Sequence, residues 1–328
     1  MKRWRCLLCA ALSTALLGIP VVAAGEVEYT ITRRGEPPVL VWGQVTTLDE
    51  TQITLEGGEN APYASIVLNL SEDTIILDAV NGAVKAASDL KEGETLYAYA
   101  GPAMTRSLPP IATAVLVLCN LPESATPPTY AEVEQVLPGE DGQLSLLMTG
   151  EIVLHLSGET KLLAAPDATE PLPLESIQPG TRLLSWYDVV MESYPAQAVP
   201  EQVMIFPSDY TGWIRASLEE LVLDGQILEL SQAQRPITLD GHLMLPLRPI
   251  AERLGGQVEW DAANPSRIAV TGASNYVLTL DRDTVTVEED MVLSLTHRPV
   301  AVNGVTFLAA EDVILLHQLK LEGLWPQV

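Results

Sequence analysis

Residues 236–260 read PITLDGHLMLPLRPIAERLGGQVEW, and the punctuation of this stretch decides the fold of the C-terminal third of the chain. Asp240-Gly241 is a turn pair that supplies the positive φ a tight hairpin needs, and short apolar runs flank it on both sides. Pro246 stands at a helix start, where its missing N–H costs nothing. Ile250, Ala251 and Leu254 make one apolar stripe, Gly255-Gly256 ends the helix, and Val258 to Trp260 opens the next strand. A degenerate copy follows: Pro299, Asn303-Gly304, Leu308, a helix predicted over 311–319, and Trp325. The Pro-to-Gly interval is five residues in both copies. A repeated strand–turn–strand–helix–strand unit is a signature of scaffold before it is one of chemistry.

Upstream, the chain repeats on a second scale. Ile66-Val67-Leu68-Asn69-Leu70-Ser71 is matched by Ile152-Val153-Leu154-His155-Leu156-Ser157, and Leu90-Lys91-Glu92-Gly93 by Ile177-Gln178-Pro179-Gly180. The offset stays at 86 or 87 residues, which points to an internal duplication. Each copy carries short runs of alternating apolar residues separated by turn residues, the pattern of a small antiparallel barrel or sandwich of OB type. The predicted architecture is therefore mainly β with an α+β C-terminal domain. Two duplicated small antiparallel β barrels or sandwiches, 39–120 and 130–206, precede a twisted antiparallel sheet packed on short helices, 219–328. A Pro-rich linker at 121–129 and a second linker at 207–218 divide them.

The first 24 residues read as a secretory signal, with Lys2, Arg3 and Arg5 before an apolar run and Val22-Ala23-Ala24 as cleavage site. An uncleaved anchor is the open alternative, and 25–38 reads as a flexible lead-in. Without the signal, Cys119 is the sole cysteine, so stability rests on packed cores and not on a disulfide. Removing the three signal cations leaves 15 basic against 43 acidic residues, scattered along the chain. Such a surface repels phosphate backbones and anionic head groups, which excludes nucleic acid as the expected partner.

The residues 222–325 resemble the copper amine oxidase N-terminal domain family, common on exported proteins of Gram-positive bacteria. The resemblance rests on Asp240-Gly241, Leu245-Pro246-Leu247-Arg248, Leu254-Gly255 and Val258-Glu259-Trp260. The second half departs, because Leu308-Ala309-Ala310 replaces the element that carries the arginine. The resemblance implies a non-catalytic stalk, remote from copper. The oxidase chemistry needs a tyrosine before an acid in an Asn-Tyr-Asp/Glu context and a His-Xaa-His pair. Here Asn275-Tyr276 is followed by Val277, and His155, His242, His297 and His317 are scattered, so no amine oxidase activity, cofactor or metal is expected.

Other chemistry leaves few candidates. No Gly-Xaa-Ser-Xaa-Gly elbow and no phosphate-cradling glycine loop is present. Asp281-Arg282-Asp283 and Glu288-Glu289-Asp290 offer oxygens to calcium but lack its loop pattern, and read as hairpin turns. Arg248 is the candidate ligand contact, against a structural reading in which it clamps strand to helix. Trp260 and Trp325 read as core plugs, and Trp42, Trp186 and Trp213 as stacking platforms if they converge. The structural signature is thus Asp240, Gly241, Pro246, Arg248, Gly255, Trp260, Gly304 and Trp325. The function this predicts is an exported, non-enzymatic envelope protein that binds a cell-wall polymer or a surface protein. A wall-active hydrolase using carboxylates of the duplicated region is the alternative.

Overall fold

The computed structural model describes residues 37–137, 139, 143–287 and 291–322. The expected signal at 1–24, the triplet Glu288-Glu289-Asp290 and Trp325 lie outside the described residues. The described chain is mainly β, with short α-helices in its C-terminal part.

The first unit holds β1 (Val39–Leu48), β2 (Gln52–Glu56), β3 (Ser65–Asn69), β4 (Ile75–Asp78), β5 (Thr95–Met104) and β6 (Ile111–Cys119). Val41, Val45, Ile53, Leu55, Ile66 and Leu68 alternate with exposed or half-buried neighbours and fill one core. The strands pair in the order β3-β2-β1-β5-β6, and β3 closes the ring by running parallel to the first half of β6, from Val67↔Ile111 to Asn69↔Thr113. This is a closed Greek-key barrel of OB type. Outside the ring, β4 runs parallel to the second half of β6. At Gly43 the backbones come so close that a Cβ would stand 2.5 Å from the Glu56 carbonyl oxygen, so the coiling of β1 requires glycine there.

The second unit holds β7 (Thr129–Leu137), β8 (Leu144–Met148), β9 (Ile152–Leu156), β10 (Lys161–Leu163), β11 (Arg182–Trp186), β12 (Val190–Met191), β13 (Ala196–Ala198) and β14 (Gln202–Phe206). Its first strand repeats the bonding and register of the first unit. The Val45 N–H donates to the Glu94 carbonyl and the Gly93 N–H donates to the Val45 carbonyl; Val133 does the same with Thr181 and Gly180. Both first strands shift register directly afterwards, at Val45/Thr47 and at Val133/Gln135. The difference lies in the last strand. Where β6 is continuous, the second unit uses β13 beside β9 and β14 beside β10, separated by Val199-Pro200-Glu201. A proline has no ladder donor, which suits the break.

One expectation is corrected here. The barrels are not purely antiparallel: β3/β6, β4/β6, β9/β13 and β10/β14 all run parallel. Side chains alternate identically in both senses, so the apolar pattern carries no information on direction. The two units also pack on one another. Leu77, Ala79, Tyr99, Leu116 and Leu118 of the first share a core with Tyr130, Ala165, Leu184, Met204 and Phe206 of the second. Leu77/Leu163, Ala79/Ala165 and Leu118/Met204 in this contact are equivalent positions at offset 86. The Trp186 indole N–H donates to the Ala79 carbonyl at 2.6 Å across the same face.

The C-terminal part holds β15 (Gly212–Ala216), β16 (Leu221–Leu223), β17 (Gln226–Ile227), β18 (Ile237–Leu239), β19 (His242–Pro246), α1 (Leu247–Arg253), β20 (Gln257–Trp260), β21 (Arg267–Thr271), β22 (Tyr276–Thr279), β23 (Thr284–Val287), β24 (Val292–Ser294), β25 (Val300–Val302), β26 (Val305–Ala309), α2 (Ala310–His317) and β27 (Leu319–Leu321). One sheet was expected; three form, ordered β17-β16-β15-β27, β18-β19-β26-β25 and β20 through β24. The expected linker 207–218 contains β15, which pairs parallel with β27. At the centre, β19 and β26 pair antiparallel through Leu245↔Leu308, bringing the two sequence copies face to face. Their hairpins are the same turn: φ is 51° and 83° at Asp240-Gly241, 51° and 79° at Asn303-Gly304. Leu245, Leu247, Ile250, Leu308, Ala310 and Val313 form the core between sheet and helices.

Candidate functional site

The signature residues divide into builders and bystanders. Gly241, Gly255 and Gly304 all adopt positive φ and end their hairpins or helix, and Pro246 is buried at the junction of β19 and α1. Arg248 is no clamp between strand and helix. Its guanidinium is exposed and donates to Glu252 at 3.1 Å, one turn along its own helix. Trp260 is no core plug either. It is 58% exposed on the outermost strand of the five-stranded sheet, its indole N–H donating to the Pro265 carbonyl. An aromatic residue at a repeat's end looks like a plug in sequence, but on this strand Val258 takes the core position and Trp260 lies beyond it in solvent.

The histidines are brought together only in part. His242 and His297 have ring centroids 5.6 Å apart, with Asp240 3.2 Å from His297 and Glu311 3.9 Å from His242. Both His297 nitrogens are already engaged, by the Arg298 carbonyl and by Asp240. His155 bridges Ser145 and Gln197 in a polar row across three strands. His317 is buried against Tyr276 at 2.8 Å, and burial pushes the imidazole down to about 4 while pushing the phenol up. The neutral imidazole and the phenol therefore satisfy one another inside the core. Among the described residues, no three His, Cys, Asp or Glu side chains converge as metal ligands would. Cys119 is buried, and burial pushes its thiol up to about 11.

The buried carboxylates stand apart from one another. Burial pushes Asp78 up, but hydrogen bonds from Asn120, Val80 and Asn81 outweigh it and hold the group below the usual range. Asp312 accepts the backbone N–H groups of Thr296 and His297, and burial raises it. Glu322 is raised by burial against the pull of Arg215, 3.0 Å away. Each is occupied in holding chain to chain. The aromatic residues do not converge either: Trp186 is taken up between the barrels, and Trp213 lies on β15 with its backbone N–H held by Asp224.

Trp186 also borders a smaller cleft of about 290 Å³ at the seam between the barrels, whereas Trp42 borders a concavity on the outer surface of the first. A groove of about 430 Å³ on the first barrel is lined by Trp42, Gln44, Glu56, Gly58, Glu59 and Thr95, with Gly43, Gly57 and Asn60. It lies where β1 passes between β2 and β5, in registers Gln44↔Glu56 and Gln44↔Thr95. Trp42 packs near-parallel to Tyr97, with centroids 6.2 Å apart and planes at 21°.

The equivalent surface of the second barrel is filled. Glu132 pairs with Arg182 on the neighbouring strand, as Gln44 does with Thr95. Over it, the Lys320 ammonium sits 2.8 Å from Glu132 and 3.0 Å from Glu134, and Arg182 reaches Asp209. Burial opposes the charge on Lys320, but Glu132 and Glu134 outweigh it and raise the ammonium above its ordinary value. This ion cluster joins β27 to β7. Sequence reading missed it, because a lone lysine near the C-terminus carries no signal of a partner almost two domains away.

Residues 222–315 match the family model described as copper amine oxidase N-terminal domain, a non-catalytic module of the oxidases. A relative described as "Protease inhibitor", from Brevibacillus choshinensis, is 39% identical over 101 residues, which cover 28% of this chain and 31% of the relative. The chain thus spans less than a third of the length of the curated relative it matches.

Proposed function

We propose that this chain is an exported, non-catalytic binding protein of the cell envelope, which attaches to a wall polymer or to a surface protein. The observation that supports this best is the division of labour among its polar groups. Asp78, Asp312, Glu322, Tyr276 and His317 are consumed in separate internal contacts, whereas the open groove beside Trp42 keeps aromatic, amide and carboxylate groups at the surface. A wall-active hydrolase needs two carboxylates facing each other across one cleft; among the described residues the buried acids are engaged separately, and loss of wall hydrolysis with retention intact in Glu56→Gln or Glu59→Gln would favour that alternative for the groove. Incubating the full chain with purified peptidoglycan and with envelope extract tests the proposal. Retention by either is expected; passage through both overturns it.

A second reading takes its lead from the relative described as a protease inhibitor. Equivalent loops of the two barrels present Leu108, 96% exposed, and Tyr194, 86% exposed. Each is braced by a serine hydroxyl that donates across the tip, Ser107 to the Pro109 carbonyl and Ser193 to the Pro195 carbonyl. A braced loop with one apolar side chain outward is the shape a protease cleft accepts. Inhibition of subtilisin or chymotrypsin, weakened by Leu108→Asp or Tyr194→Asp, would favour this reading over the first.

A further inference from the structure

We infer that the groove on the first barrel is a docking site for a lysine-bearing segment of a partner protein. The inference rests on the binding role proposed above and names the partner chemistry for one site. It starts from the duplication. Bond for bond, Trp42, Gln44, Glu56 and Thr95 occupy the places of Tyr130, Glu132, Thr149 and Arg182. In the second barrel that surface holds a strand of the chain itself, β27, whose Lys320 ammonium lies between Glu132 and Glu134. Tyr210 closes over it, its hydroxyl 3.4 Å from Glu132. The first barrel offers the same concavity with nothing from this chain over it among the described residues.

Charge decides the kind of occupant. Glu56 and Glu59 both line the groove, and neither has an ion pair among the described residues. Trp42 adds an aromatic wall, and a lysine ammonium is attracted both to carboxylates and to an indole face. The chain carries a net charge of −25, so its long-range field also draws in a basic partner and repels an acidic one. The carboxylates that hold Lys320 in the second barrel are replaced here by Gln44 and Thr46, and Glu56 and Glu59 supply the negative charge of the groove in their place.

The test titrates the full chain with a tetralysine peptide, followed by calorimetry and by tryptophan emission at low and physiological salt. Saturable one-to-one binding is expected, weakened at least tenfold in the Glu56→Gln/Glu59→Gln double variant. A Cβ at Gly58 meets nothing within 4 Å, so Gly58→Tyr leaves the fold alone and fills the groove, and it should weaken binding as much. Glu50→Gln/Glu72→Gln, exposed acids outside the groove lining, should leave binding unchanged. Equal binding by all variants would assign the peptide to the general acidic surface and overturn the inference, as would no saturable binding. Preference of the groove for a chito-oligosaccharide, lost in Gly58→Tyr while tetralysine binding persists, would overturn it in favour of a polymer. If variants and wild type are equally retained by envelope material, the docking site fails while the binding function stands.

Discussion

Lys320 and Glu132 meet 2.8 Å apart, joining the last described strand of the C-terminal part to the first strand of the second barrel. Glu132 also pairs with Arg182, which in turn reaches Asp209, and Glu134 flanks Lys320, so the contact is a cluster of five charges and not one bridge. Breaking a buried pair from one side leaves an uncompensated charge, which costs about 3–5 kcal/mol.

Lys320→Met should therefore loosen the C-terminal part from the barrel. Glu132 retains Arg182, which places the loss at the low end of that range. Calorimetry should show the unfolding transition separating into two. A single transition at the wild-type temperature would show that the cluster does not hold the junction.

Acid should weaken the C-terminal core through His317. Its folded value of about 4 lies below the ordinary 6.5, so the unfolded chain binds more protons across that window. Stability is full above pH 6.5 and declines as pH falls towards 4, by roughly 3 kcal/mol. Asp312 and Glu322, raised by burial, act with the opposite sign, since their contribution grows as pH falls. Urea unfolding of wild type and of His317→Leu/Tyr276→Phe at pH 7 and pH 4.5 isolates the imidazole. Its absence should flatten the difference between the two pH values.

Two glycines should respond very differently to one added carbon. Gly304→Ala costs about 1 kcal/mol, because φ is 79° while the space around a Cβ is open. Gly43→Ala drives a Cβ to 2.5 Å from the Glu56 carbonyl oxygen, where backbone must yield, and should cost more than about 3 kcal/mol. Denaturant midpoints of the two variants measure the contrast, and similar midpoints would mean that β1 and β2 can separate freely.

Trp260→Ala should cost less than about 1 kcal/mol, against the 3–5 kcal/mol of a buried tryptophan. The indole is mostly in solvent and loses one hydrogen bond to the Pro265 carbonyl. Unfolding in urea decides the matter: a loss in the core range would mean that Trp260 has a packing partner in solution.

The local structure was legible because it is written locally. Asp240-Gly241, Gly255 and the 86-residue offset each name a backbone conformation or a repeat within a short window. What could not be read depends on residues far apart. The sense of β6 relative to β3 and β4, the strand hidden at 212–216, and the exposure of Trp260 are all set by partners that no nearby residue announces. The candidate site was half visible. Trp42 stood out as aromatic, but its groove emerges only when β2 and β5 bring Glu56 and Thr95 beside Gln44.

The barrels meet through Leu77 and Leu163, Ala79 and Ala165, Leu118 and Met204, corresponding positions of one repeated unit. A lone ancestor presenting that patch would be self-complementary and would pair with its twin about a two-fold axis. Within a single polypeptide the two outward faces need not match. One of them anchors the C-terminal part through Lys320, and the other has nothing from this chain over it among the described residues.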